Sequence, residues 1–150
     1  MLKIGDSAPD FSAQTTNGEP VSLSALRGRP VVIYFFPKAF TMGCTIETRQ
    51  FRDNYAEIRK MGAEVIGISA DTTDSHRRFS ERFRLPFVLL ADVDGAVRAR
   101  YGVPRTLGIF PGRVTYLIDR DGIVRHIFSS QFQPWRHVTE AIRILEELRH

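Results

Sequence analysis

Cysteine is nearly missing from this chain of 150 residues: Cys44 is the only thiol it carries. That excludes an internal disulfide. It also excludes dithiol exchange through a Cys-x-x-Cys pair, because the residue three before Cys44 is Thr41. A copper-carrying site built from two cysteines and a histidine fails on the same count. A lone cysteine fits a reducing compartment. Long apolar runs are missing too. None approaches the roughly 20 residues of a membrane span, and the first residues lack a basic stretch followed by an apolar one. A soluble, unexported, cytoplasmic protein is expected, with no membrane partner.

Lysine is scarce, 3 against 18 arginines, and the formal net charge is +4 with a pI near 9.6. Such a balance would suit a nucleic-acid partner, but the basic residues are scattered and interleaved with acids. The densest group, Arg77, Arg78, Arg82 and Arg84, is interrupted by Glu81 and reads as a solvated helix face. No nucleic-acid partner is expected. The histidines, at 76, 126, 137 and 150, are widely spaced and form no ligand pattern, so neither a metal nor an organic cofactor is expected. Repeats, low-complexity tracts and linkers are absent, and the length suits a single domain over residues 1–150.

What is present reads as an α/β chain. Residues 12–15 and 20–23 flank Asn17-Gly18, a tight-turn signal for a hairpin. Residues 31–36 form an uninterrupted apolar run, a fully buried strand. From Cys44, residues 47, 51, 55, 58 and 62 follow at steps of three or four, the face of one long helix. Further strands are expected at 64–69, 87–90, 114–118 and 123–128, the last two joined by Asp119-Arg120-Asp121-Gly122. A short helix at 74–83 points Phe79 and Phe83 inward, and a helical turn or two leads to Tyr101. Residues 102–112 read as a loop. The last helix starts near Pro134, with Val138, Ala141, Ile142, Leu145 and Leu148 as its buried stripe and Arg149 and His150 at its end. Buried strands separated by helices imply a central mixed sheet covered on both faces. Phe110, Phe132 and Trp135 read as core residues, or as the rim of a pocket or oligomer surface.

Cys44 falls where the buried strand gives way to the long helix. Unpaired N–H groups and the positive end of the helix dipole favour a thiolate there, against the alternative of a small buried hydrophobe. Glu47 lies one turn later on the apolar face. Its carboxylate either meets a buried cation or reaches water near the helix end. Thr41 can hydrogen-bond the sulfur or a small polar ligand, or cap the helix.

Pro37-x-x-x-Thr41-x-x-Cys44 resembles the active-site signature of the peroxiredoxins, and Gly43-Cys44-Thr45-Ile46-Glu47 is similar to the peroxiredoxin Q, or bacterioferritin comigratory protein, branch. Residues 5–11 resemble that family's opening, 34–38 its strand into the site, and 113–119 its arginine-bearing strand. The resemblance implies a thioredoxin-like fold with an N-terminal hairpin extension, and a thiol peroxidase acting on hydrogen peroxide and alkyl hydroperoxides. It makes Cys44 the peroxidatic cysteine, Thr41 the peroxide-binding hydroxyl, and Arg113 the arginine that helps ionise the thiol. Pro37 would shield the site, Glu47 would orient the arginine, and Gly43 belongs to the same motif. A monomer or weak homodimer is implied.

The chain departs from that pattern at two places. Many members of the branch carry a second, resolving cysteine five residues after the first, where this chain has Arg49. Others carry it in the following helix, where Ser80 stands here. Oxidised Cys44 would therefore need an external thiol such as thioredoxin, glutaredoxin or glutathione, or would pair with Cys44 of a second molecule, the external thiol being favoured because two recessed cysteines would have to emerge to meet. The alternative is a redox sensor or binding module oxidised once, without turnover.

Overall fold

A five-residue strand with no polar alternation must be covered on both faces, and Val31–Phe35 is buried throughout. The computed structural model describes residues 2–16, 19–103, 105–106, 110–111, 113–129 and 134–148. In chain order the elements are β1 (Ser12–Gln14), β2 (Pro20–Ser22), a 3-10 turn at Ser24–Leu26, β3 (Val31–Phe35), α1 (Met42–Asp53), α2 (Tyr55–Lys60), β4 (Glu64–Ser69) and α3 (Thr73–Phe83). There follow β5 (Val88–Ala91), α4 (Ala96–Tyr101), β6 (Arg105–Thr106), β7 (Phe110–Pro111), β8 (Val114–Ile118), β9 (Val124–Ser129) and α5 (Pro134–Leu148).

The main sheet runs β5-β4-β3-β8-β9. Its β3, β4 and β5 are parallel and need helical crossovers, whereas β8 and β9 join antiparallel through a tight turn. Alternate residues of β3 serve opposite faces. Val32 and Tyr34 pack with Phe51, Ile58, Phe79 and Val138 from α1, α2, α3 and α5. Val31, Ile33 and Phe35 pack with Phe11, Val97 and Tyr101 on the other face. Each such side chain contributes about 1.5–3 kcal/mol when fully buried, so β3 is anchored from both sides. Tyr34 also dictates a glycine opposite: a Cβ on Gly67 of β4 would lie 2.7 Å from Tyr34 Cζ.

The N-terminal segment meets both sides of the sheet at one bridge each. Thr15 bridges Leu90 at β5, while Ser7 bridges Ile123 beside β9.

Four expectations need correction. The long helix is two segments, because Asn54 leaves helical geometry (φ −105°, ψ 4°) as its side-chain amide donates to the Gln50 carbonyl at 2.8 Å. Residues 102–112 contain the short antiparallel pair β6–β7. On α5, Ile144 is buried with Val138, Ala141 and Leu145; Ile142 is only partly covered, and Leu148, in the last turn, is 36% exposed. Trp135 is 48% exposed and so is not a core residue. The Asn17-Gly18 turn, Phe132, the side chain of Phe110, Arg149 and His150 lie outside the described residues. The arginines at 77, 78, 82 and 84 are exposed, with Arg77 and Arg78 paired to Asp74, as a solvated face should be.

Candidate active site

α1 begins at Met42, so Cys44 is its third residue. The first helical bond runs from Thr45 N–H to the Thr41 carbonyl at 2.9 Å, leaving the N–H groups of Met42, Gly43 and Cys44 without intrahelical partners. Cys44 itself is fully buried.

The loop between β3 and α1 is tied down from the β4–α3 side. Asp71 Oδ2 accepts the Ala39 N–H at 2.8 Å and the Ser69 hydroxyl at 2.7 Å. Ser69 Oγ in turn lies 2.6 Å from Nε2 of the buried His76. Phe40 sits at a positive φ of 66° and sets its ring edge-on against Phe79 at 5.1 Å. Pro37 is half-buried at the head of this loop. Thr41 occupies the N-cap position, but its side chain does not cap the helix; the hydroxyl donates to the Lys38 carbonyl at 2.6 Å, not to the sulfur. Its oxygen keeps acceptor capacity.

Strand register brings the cation. Phe35 of β3 stands opposite Val114 of β8, which places Arg113 beside the point where the chain leaves β3 for the site. Its guanidinium forks: Nη2 donates to Cys44 Sγ at 3.4 Å and Nη1 donates to Glu47 Oε1 at 2.7 Å. Glu47 is fully buried and Arg113 4% exposed, so the buried-cation alternative holds for Glu47 and the water-facing one does not. Burial still pushes the Glu47 carboxyl up to about 8, because the nearby guanidinium offsets only part of the lost hydration. Burial pulls Arg113 down, but Glu47 and Cys44 outweigh it and hold Arg113 above its ordinary value.

Two further groups complete the shell. His137 of α5 places Nδ1 3.4 Å from Glu47 Oε2 and 2.6 Å from Thr115 Oγ1 of β8. Behind Cys44, the Tyr34 hydroxyl donates to Thr48 at 3.2 Å. The sequence reading had no role for His137, His76 or Asp71. The histidines did carry a signal: His76 precedes Phe79 and Phe83 at steps of three and four, and His137 precedes Ala141 and Ile144 likewise. Of the two positions where the branch carries a second cysteine, Arg49 is exposed on α1. Ser80 lines an open cavity of about 350 Å³ with Arg77, Glu81 and Phe87.

A helix-borne thiol on this mixed sheet, with its hairpin extension, is the architecture of a thioredoxin-like oxidoreductase. The family model of the AhpC/TSA family matches residues 4–127. The chain is 48% identical over 145 residues to a peroxiredoxin Q of Oryza sativa subsp. japonica, named as chloroplastic, covering 96% of this chain and 67% of that one. The crystal structure of peroxidoxin BcpB from Mycobacterium tuberculosis superposes with a TM-score of 0.92 at 36% identity, each chain covered over 100%. The bacterioferritin comigratory protein of Xanthomonas campestris, described for its alkyl peroxide reduction, superposes with a TM-score of 0.88 at 27% identity over 100% of this chain and 99% of that one. The chain belongs to the AhpC/TSA family, in its peroxiredoxin Q and bacterioferritin comigratory protein branch, and is a thiol-dependent peroxidase with a single cysteine.

Proposed function

We propose that Cys44 reduces hydrogen peroxide and alkyl hydroperoxides through a sulfenic acid that an external thiol then removes. The observation that carries this reading is the Arg113 Nη2–Cys44 Sγ contact of 3.4 Å at the start of α1. The thiolate lone pair attacks one peroxide oxygen; the S–O bond forms as the O–O bond breaks, and the second oxygen leaves as water or an alcohol after taking a proton. Charge develops on that leaving oxygen. Arg113 and the first-turn N–H groups are the donors able to meet it. Thr41, whose proton is engaged by Lys38, serves as acceptor for the incoming O–H. Pro37 screens the thiol from water, and Glu47 orients the guanidinium.

With no second cysteine in the chain, the sulfenic acid is returned to thiol by two external thiol equivalents, the first forming a mixed disulfide and the second releasing it. Thioredoxin, glutaredoxin with glutathione, and glutathione alone are the candidates. Such thiols belong to a reducing compartment, and the cytoplasm is the proposed location. The protein is proposed to act as a monomer or weak homodimer.

Mass spectrometry after a peroxide pulse tests the first half: Cys44 should gain one oxygen, and an unmodified thiol overturns the reading. Steady-state peroxide consumption with each reductant tests the second. The single cysteine favours one other reading, a sensor oxidised once; it expects one peroxide consumed per chain and no turnover with any of the three.

A further inference from the structure

Behind Arg113 stand two ionisable side chains that do not touch the sulfur. Glu47 and His137 are both fully buried, and Thr115, against the same imidazole, is 3% exposed. Glu47 gives Oε1 to Arg113, while Oε2 accepts no hydrogen bond of ordinary geometry among the described residues and faces His137 Nδ1 at 3.4 Å. Phe128 closes the ring edge-on at 4.7 Å.

Nδ1 can hold either a proton or a lone pair, never both. With a proton, it serves Thr115 at 2.6 Å and Glu47 Oε2 at 3.4 Å, and Glu47 is a carboxylate. With a lone pair, it accepts from Thr115, and Oε2 must carry the proton itself or be left as a bare buried anion, the costly case. With Nε2 protonated in both, the two low-cost states are imidazolium with carboxylate and imidazole with carboxylic acid, and they differ only in which residue holds the other proton. Burial, which pushes Glu47 up to about 8, and the second basic site that His137 offers together keep that proton in place at neutral pH. Among the described residues, the titratable or charged groups around Glu47 include Cys44 on α1, Arg113 ahead of β8 and Tyr34 on β3.

We propose that Glu47 and His137 share one proton behind Arg113, and that His137 is thereby a positioning residue for the peroxide reaction, a role that rests on Cys44 being the peroxide-reducing thiol. While the pair holds its proton, the guanidinium charge is left for the sulfur and the leaving oxygen. Once the proton is lost, Arg113 divides its charge between two anions and the reaction slows. The rate of Cys44 with hydrogen peroxide therefore falls above about pH 8.

The test is the pH profile of that rate in four proteins: unsubstituted, Glu47→Gln, His137→Asn and the double variant. Glutamine keeps an acceptor for Arg113 but has no proton to lose, so the alkaline fall disappears. Asparagine keeps a donor toward Thr115 and Glu47 but offers no second basic site. The pair's proton then leaves at lower pH, and the deficit against the unsubstituted protein grows from near unity at pH 6 to about tenfold at pH 8. In the Glu47→Gln background the same change has no pH-dependent effect. A deficit equal at every pH, or one that persists in that background, overturns the proposal and marks His137 as packing only. NMR titration of Glu47 Cδ and the His137 ring, read without peroxide, should show one common midpoint. A common midpoint with an unreactive Cys44 overturns the peroxidase reading; a reactive Cys44 with independent midpoints overturns the shared proton.

Discussion

Asp71 holds Ala39 across 32 residues of sequence: its Oδ2 accepts the Ala39 N–H at 2.8 Å, and the same oxygen takes the Ser69 hydroxyl. The loop that positions Thr41 and starts α1 is thus fastened to the end of β4. A hydrogen bond to a carboxylate contributes about 1.5–3 kcal/mol. Asp71→Ala should raise amide exchange at residues 39–41 and lower the rate with peroxide by about tenfold, because small misplacements of reacting groups are costly. Asp71→Asn, which keeps an acceptor, should fall between. Unchanged exchange in the alanine variant, with thermal unfolding confirming the fold, would show that the loop does not depend on this bond.

Arg113 does two jobs with one planar group, so its shape matters as much as its charge. Lysine at this position keeps the charge but cannot fork between Cys44 and Glu47. Arg113→Lys should lower the second-order rate with hydrogen peroxide by about 10²–10³, the usual effect of losing one donor to developing charge. Arg113→Met should also lose about 3–5 kcal/mol of stability, since it breaks the buried Arg113–Glu47 pair by removing one partner. Stopped-flow oxidation and urea unfolding separate the two. A lysine variant with full activity would remove the fork from the mechanism.

Much of this arrangement was legible in the residues, for reasons that differ from place to place. The run at 31–36 could only be a buried strand, and Cys44 at its exit had to lie near a helix start. Glu47, inward on an apolar face, announced a cation but could not name it. Arg113 is 66 residues away from Glu47 and is brought there by the β3–β8 register, which periodicity does not encode. The family motif supplied it instead. As metal ligands His76 and His137 have the wrong spacing, and composition alone gives them no other role. As members of inward helical faces they could have been found. Nothing local marks Asp71, whose part depends on a loop folding back across the top of the sheet.

A single thiol sets a competition. Cys44 as sulfenic acid either meets an external thiol or a second peroxide, which carries it to the sulfinic acid. Turnover should therefore slow progressively as peroxide is raised at fixed reductant, with a product two oxygens heavier accumulating in step with lost activity. Intact-mass analysis during turnover checks it. Disulfide-linked dimers as the main product would show instead that a second copy supplies the resolving thiol.

His76 predicts how the fold responds to acid. Its ring is fully buried beside Ser69 and Asp71, and Nδ1 has no hydrogen-bond partner among the described residues. Burial pulls it down from 6.5 to about 4, Asp71 restoring only part of the loss. The unfolded chain thus binds this proton more tightly than the folded one, and the contribution of His76 to stability is lost as pH drops from about 6.5 toward 4. The full shift corresponds to roughly 3 kcal/mol. Asp10, Asp119 and Glu140 are held below their ordinary values, so their contributions are lost only at lower pH; Glu47, pushed up to about 8, gives a slope of opposite sign between 6.5 and 5, so the histidine is read from the difference between the unsubstituted protein and a His76 variant. His76→Gln keeps a donor for Ser69 and removes the titration. Denaturant unfolding at a series of pH values should show the variant losing less stability than the unsubstituted protein as pH falls from 6.5 to 5. The same pH dependence in both proteins would show that His76 does not contribute and leave the Ser69–His76 contact as packing alone.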